Sequence, residues 1–264
     1  MSVLDILPKS VRGRYRQSAF CKASSAKSLA RSIKRLDLCA AQIAHLLHLS
    51  GISSVEGKVC LEVGSGWVLS HAVIFYLLGA KKVIATDILP WAYPPALKVA
   101  IQNAVSYIVR DVLSPFAAHH EIRARLDRLL SIPEFSFELL REMGIEYVAP
   151  VNWAKKPLET CVDLVYSLSV LEEVLADELG NLLGNLEQGL NEGGVMVHAV
   201  HIDDKGSVGL QRDDWFEVFN EVNNLDWRIL YQWQRGENRP EIRKAGVSNQ
   251  ERGVSHMGIL CTKK

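Results

Sequence analysis

The sequence carries no net charge, no closely spaced pair of cysteines and no apolar run long enough to cross a bilayer. Each absence removes a class of protein. With 30 basic and 30 acidic residues, the molecule as a whole is not a polyanion binder, so any charge signal must be local. The five cysteines, at 21, 39, 60, 161 and 261, are odd in number and never two residues apart, which argues against a zinc site or a secreted disulfide frame. No metal site is expected. The best apolar stretch, Trp67 to Ala80, is broken by Ser70 and His71. The start, Met-Ser-Val-Leu-Asp-Ile-Leu-Pro, lacks the basic-then-apolar order of a signal peptide, so a soluble cytoplasmic protein is expected.

One absence is local. Between Lys9 and Arg35 there are nine Lys or Arg residues and no acid. Residues 1–54 are therefore expected to form a basic N-terminal helical arm, either a solvated face or a contact surface for an anionic partner. Only Tyr15 and Phe20 supply aromatic rings there, which argues against single-stranded nucleic acid. Leu36, Cys39, Ile43, Leu46 and Leu47 recur at helical spacing until Gly51 stops the pattern. With 48% hydrophobic residues, the remaining chain, 55–264, can bury the core of one α/β domain.

The stretch that organises the chain is Lys58-Val-Cys-Leu-Glu-Val-Gly-Ser-Gly-Trp-Val68. It reads as a buried strand, a glycine turn and a helix start. Gly64, Ser65 and Gly66 let the backbone approach a ligand closely, and helix amides beyond them favour negative groups. The dinucleotide fingerprint needs a third glycine three positions on, where Leu69 stands. A nicotinamide dinucleotide is thus disfavoured. Glu62 closes the first strand, while Asp87, followed by Ile88, closes the next, Lys81 to Thr86. Two acids would repel a pyrophosphate but suit a ligand that carries a ribose and an ammonium group.

Further along, a helix is expected over Trp67–Leu78, and Pro90 to Pro95 excludes helix until Ala96. Helical spacing over Leu97–Leu113, Glu121–Leu130 and Phe135–Met143 makes residues 96–144 an insertion or cap. Strands follow at Glu146–Ala149, Val162–Ser167 and Val195–Ile202, with Glu172 and Glu173 opening a helix. Trp215–Val222 is amphipathic, and Trp227–Trp233 and His256–Thr262 read as two final strands.

The acid-x-Gly-x-Gly turn at Glu62, Gly64 and Gly66, with Asp87 as ribose acid, resembles that of class I S-adenosylmethionine-dependent methyltransferases. Asp163-Leu-Val-Tyr-Ser-Leu-Ser-Val-Leu-Glu-Glu-Val174 is similar to the family's fourth strand and the segment after it, and Asn191-Glu-Gly-Gly194 precedes the fifth. Val68 departs from the family at its third common glycine. The resemblance implies a Rossmann-like α/β fold, with a seven-stranded, mostly parallel sheet, helices on both faces and S-adenosyl-L-methionine as cofactor. It also implies an adenine contact from Asn152 and Trp153, and Ser167 to Ser169 are expected at the crevice. The Gly-Ser-Gly-Trp turn, the helical insert and Ile145-Glu-Tyr-Val-Ala-Pro150 look similar to bacterial methyltransferases associated with polysaccharide synthesis.

The Asp or Asn-Pro-Pro-aromatic segment of enzymes that methylate base amines is missing, since the chain reads Ser167-Leu-Ser-Val170. The expected acceptor is therefore a small molecule or saccharide, methylated at oxygen. The alternatives are a basic-armed RNA methyltransferase and a cofactor-binding protein without turnover. Strand parity puts His201 and Asp203 on one face at the carboxyl end of the fifth strand, a histidine and acid able to act as general base. Glu173, which replaces the histidine of the family's Leu-Glu-His segment, is the rival.

Overall fold

A computed structural model of the chain describes residues 35–202, 212–233 and 256–264. Of the nine basic residues from Lys9 to Arg35, only Arg35 falls within them. It is buried in an ion pair with Asp37, whose Oδ2 also accepts the Val105 amide at 3.2 Å.

The elements, in chain order, are α1 (Leu36–Ser50), β1 (Val59–Val63), α2 (Ser70–Leu77), β2 (Lys82–Thr86), α3 (Pro94–Gln102), α4 (Ser106–Leu113), α5 (His119–Ser131) and α6 (Phe137–Glu142). They continue with β3 (Ile145–Val148), β4 (Val162–Leu168), a 3-10 turn (Leu171–Glu173), α7 (Ala176–Gln188), β5 (Leu190–His201), α8 (Arg212–Asn220), β6 (Leu225–Trp233) and β7 (His256–Lys263). Among the described residues the strands form one sheet of order β3-β2-β1-β4-β5-β7-β6. β1 to β5 run parallel, and β7 is antiparallel to both β5 and β6.

Strand alternation sorts the core into two layers. Cys60, Val83, Leu164, Tyr166, Val197 and Ala199 pack against helices α1 to α6, whereas Leu61, Ile84, Val165, Met196 and Val200 pack against α7 and α8. Helix α1 belongs to the first layer, with Leu36, Cys39, Ile43 and Leu47 almost fully covered. Each large apolar side chain so buried contributes roughly 1.5–3 kcal/mol before entropy is counted. The segment read as an insertion forms α3 to α6 and joins that layer through Leu97, Val109, Leu126 and Leu140.

Several boundaries differ from expectation for local reasons. Helix α2 begins at Ser70 rather than Trp67 because Leu69, at φ +64°, extends the left-handed turn. Helix α3 begins at Pro94 rather than Ala96, since prolines in a first turn forfeit only amides that have no intrahelical acceptor. Glu172 and Glu173 lie in the 3-10 turn, and the α-helix proper opens at Ala176.

The strand order reverses between β1 and β4. Ligand crevices in open α/β sheets lie outside the carboxyl ends of the strands at such a reversal. That end carries the glycine turn.

Candidate functional site

Gly64 and Gly66 both have positive φ, +73° and +66°, which sharpens the exit from β1. The turn is tied to β2 by two bonds. The Ser65 amide donates to the Thr86 carbonyl at 2.8 Å, and the Gly66 amide donates to Asp87 Oδ2 at 2.9 Å. A Cβ on Gly64 would stand 2.5 Å from a methyl of Val170, so the loop after β4 packs directly on the turn. That close approach is what requires glycine.

Glu62 is buried at the end of β1, and its Oε1 lies 3.5 Å from His71 Nδ1 on α2. The far nitrogen of His71, Nε2, meets Gln42 Oε1 of α1 at 3.1 Å. Burial works against charge on His71, but the Cys39 sulfur and the Glu62 carboxylate outweigh it and raise the imidazole to about 9. Glu62 Oε2 has no hydrogen-bond partner among the described residues. A buried carboxylate oxygen left this way suits a cationic ligand group.

Asp87 Oδ1 accepts the Leu89 amide at 3.0 Å. Burial raises its pKa, and the Leu89 and Gly66 amides oppose that rise. Two carboxylates thus flank one glycine turn.

A second cluster lies at the carboxyl ends of β4 and β5. His201 Nδ1 is 3.2 Å from Glu172 Oε1, and His201 Nε2 is 3.2 Å from Ser169 Oγ. The ring of His256 stands edge-on to His201 with centroids 4.3 Å apart. Burial, reinforced by the neighbouring Glu173 charge, raises Glu172 to about 7. Glu173 itself is exposed, and the acid against His201 is Glu172. Asp203 lies outside the described residues. The sequence puts Ser167 to Ser169 at the crevice and Glu172 at a helix start, but does not show their convergence on His201. Their signal was present in Ser169-Val-Leu-Glu172, where one tight turn returns the acid toward the serine.

Solved structures with the same architecture were found at low sequence identity. A TehB-like S-adenosylmethionine-dependent methyltransferase from Corynebacterium glutamicum superposes with a TM-score of 0.52 at 13% identity, covering 97% of this chain and 100% of its own. The YcgJ protein from Bacillus subtilis gives a TM-score of 0.51 at 9% identity, covering 84% and 99%. The fold is that of a Rossmann-like methyltransferase. No protein-family model matches the sequence, and no curated protein matches it.

Within this methyltransferase fold the remaining expected residues divide. Ile88, next to Asp87 in the chain, is 60% exposed. Asn152 Oδ1 accepts the Ala154 amide at 2.9 Å and so shapes its own turn. Trp153 Nε1 donates to Thr86 Oγ1 at 3.0 Å, bracing the end of β2. Ser167 is fully buried, its Oγ 2.8 Å from His198 Nδ1. Burial depresses His198 to about 3, which keeps that ring neutral. The serine at the open end of β4 is Ser169, two residues on.

Proposed function

We propose that this chain is an S-adenosyl-L-methionine-dependent methyltransferase acting on a small-molecule or saccharide acceptor at oxygen. The observation that carries the reading is the pair of acids around one glycine turn at the sheet's reversal point. One of them, Glu62, has a buried oxygen with no partner among the described residues. The fold shared with the TehB-like S-adenosylmethionine-dependent methyltransferase supports the same cofactor.

The donor set fits that cofactor. Glu62 Oε2 would accept from its ammonium group, and the Gly64–Gly66 backbone would pass beneath its amino-acid portion. Each Asp87 oxygen already accepts one amide and retains a lone pair for a ribose hydroxyl. Asn152 and Trp153 border the adenine side. When bound, the cofactor supplies a methyl group already activated by its sulfonium charge. The protein's remaining tasks are in-line placement of the acceptor and removal of its proton.

His201 is the base for that proton. Its Nδ1 lies 3.2 Å from the Glu172 carboxyl and its Nε2 lies 3.2 Å from Ser169 Oγ, at the carboxyl end of β5. The basic N-terminal segment, placed ahead of α1, would attract an anionic acceptor.

The reading is tested by calorimetric titration with S-adenosylmethionine and with a nicotinamide dinucleotide. Turnover on saccharides, nucleotide sugars, small alcohols and RNA is then followed by mass detection of the demethylated cofactor. Selective cofactor binding with methylation of a saccharide or alcohol oxygen is expected. Preference for the dinucleotide overturns the cofactor assignment, and methylation confined to RNA replaces the acceptor class.

A further inference from the structure

Ser169, His201 and Glu172 stand in the order of a nucleophile relay. The Ser169 hydroxyl lies 3.2 Å from Nε2 of the imidazole, and the Glu172 carboxylate lies 3.2 Å from Nδ1 of the same ring. The acid is buried with neither oxygen in a hydrogen bond among the described residues, so it acts on the imidazole through its charge at close range, while the imidazole faces an accessible hydroxyl it can activate.

The backbone adds an independent observation. Ser169 adopts φ +58°, one of two non-glycine residues with positive φ among those described. It follows β4 directly and leads into the Leu171–Glu173 turn. A serine forced into this conformation between a strand and a helical turn projects its side chain above the sheet. Such strain persists where surrounding structure enforces it. Here the Ser169 amide is anchored to the Ala199 carbonyl at 2.8 Å, and Val170 is wedged against Gly64. A serine needed only to shape a turn would bond nearby backbone. This hydroxyl instead reaches a side chain 32 positions away.

We propose that Ser169, His201 and Glu172 form a nucleophilic triad that hydrolyses small acyl esters, an activity separate from methyl transfer. Ser169 Oγ attacks the ester carbonyl carbon while its proton passes to His201 Nε2. The bond from that carbon to the leaving oxygen then breaks, and the leaving oxygen takes the proton from His201. Water next gives a proton to His201 as its oxygen bonds to the acyl carbon. The serine ester breaks, Oγ recovers the proton, and a carboxylic acid departs. Ester and water become acid and alcohol, with no other co-reactant.

Val170 packs against the glycine turn next to Ser169, and the His256 ring stands edge-on to His201. The Val170 amide, next after the serine, is the donor that such a turn offers to the developing oxyanion.

The test treats the full chain with a fluorophosphonate probe and, separately, with p-nitrophenyl acetate. Labelling of Ser169 by peptide mapping is expected, with ester hydrolysis falling about 1,000-fold or more in Ser169→Ala and His201→Gln. Thermal melting checks that the variants fold. Ser169→Gly, whose backbone suits positive φ, serves if the alanine variant does not fold. Label at other residues only, or hydrolysis that survives either serine variant, overturns the proposal. Because neither assay contains S-adenosylmethionine, their outcome is independent of whether the chain transfers methyl groups.

Discussion

The Gly66 amide donates to the Asp87 carboxylate at 2.9 Å, so the acid at the end of β2 fastens the glycine turn that leaves β1. With the other oxygen on the Leu89 amide, Asp87 fastens the glycine turn to its own loop at the open end of the sheet. In the proposed function the same carboxylate also meets the ribose. Its removal therefore has two separable consequences, one for the fold and one for the ligand.

Asp87→Ala is expected to lose about 1–3 kcal/mol of stability, because two amides lose a charged acceptor in a half-buried place. Cofactor affinity should fall by a further 1.5–3 kcal/mol or so, the range for a charge-assisted contact. Asp87→Asn keeps one carbonyl oxygen and should recover part of the stability. Urea unfolding and calorimetric titration separate the two effects. Wild-type cofactor affinity in a folded Asp87→Ala protein would remove the ribose assignment.

Gly64→Ala tests the approach of Val170 to the turn. Positive φ costs alanine about 1–2 kcal/mol, and crowding against a packed neighbour adds roughly 1–3 kcal/mol. Adding Val170→Ala should relieve the crowding and leave the φ cost in place. Melting curves of the single and double variants read this directly. Equal destabilisation in the two would mean that Val170 yields without cost.

The glycine turn and its two acids were legible because their chemistry depends on spacing within a strand-turn-helix unit. Glu62, Gly64, Gly66 and Asp87 needed no distant partner to be noticed. A seven-stranded, mostly parallel sheet with an antiparallel last strand followed from the resemblance these patterns supported. What sequence did not give was partnership across the sheet. Parity correctly put His201 at the carboxyl end of β5, but its acid comes from the turn after β4, where Glu172 points inward and Glu173 outward. Neighbouring glutamates in a helical turn look alike until packing selects one. Ser167 shows the converse, a serine in the expected segment whose strand position turns it into the α7 and α8 layer beside His198. The role of α1 was also hidden, because only its packing brings Gln42 onto His71 and so behind Glu62.

The His71 arrangement predicts a stability loss in alkali. Its folded value of about 9 lies above the ordinary 6.5, so between those values the folded chain binds more protons than the unfolded one. The contribution is fully present below about pH 6.5 and is lost as pH rises through about 9. Melting temperature measured from pH 6 to 10 should fall across that window in the parent and fall less in His71→Gln. Parallel curves for the two proteins would show that His71 is not the linked group.

The last expectation concerns the pH dependence of methyl transfer. Glu172 faces His201 directly, has Glu173 beside it in sequence, and has His256 against the far edge of the His201 ring. Burial and the Glu173 charge hold it protonated up to about pH 7, and a neutral carboxyl orients the imidazole less firmly than a carboxylate does. Turnover should therefore rise with pH through about 7 as Glu172 ionises. Glu173→Gln removes the like charge, so the midpoint should move to lower pH with the plateau unchanged. Glu172→Gln should abolish that inflection and lower the plateau roughly 10- to 100-fold, and His201→Gln should lower it about 100-fold or more. The measurement is turnover number against pH for the parent and the three variants, at saturating cofactor. Normal turnover in Glu172→Gln and His201→Gln together with loss in Glu173→Gln would transfer the base to Glu173. Normal turnover in all three would leave positioning alone to carry the rate.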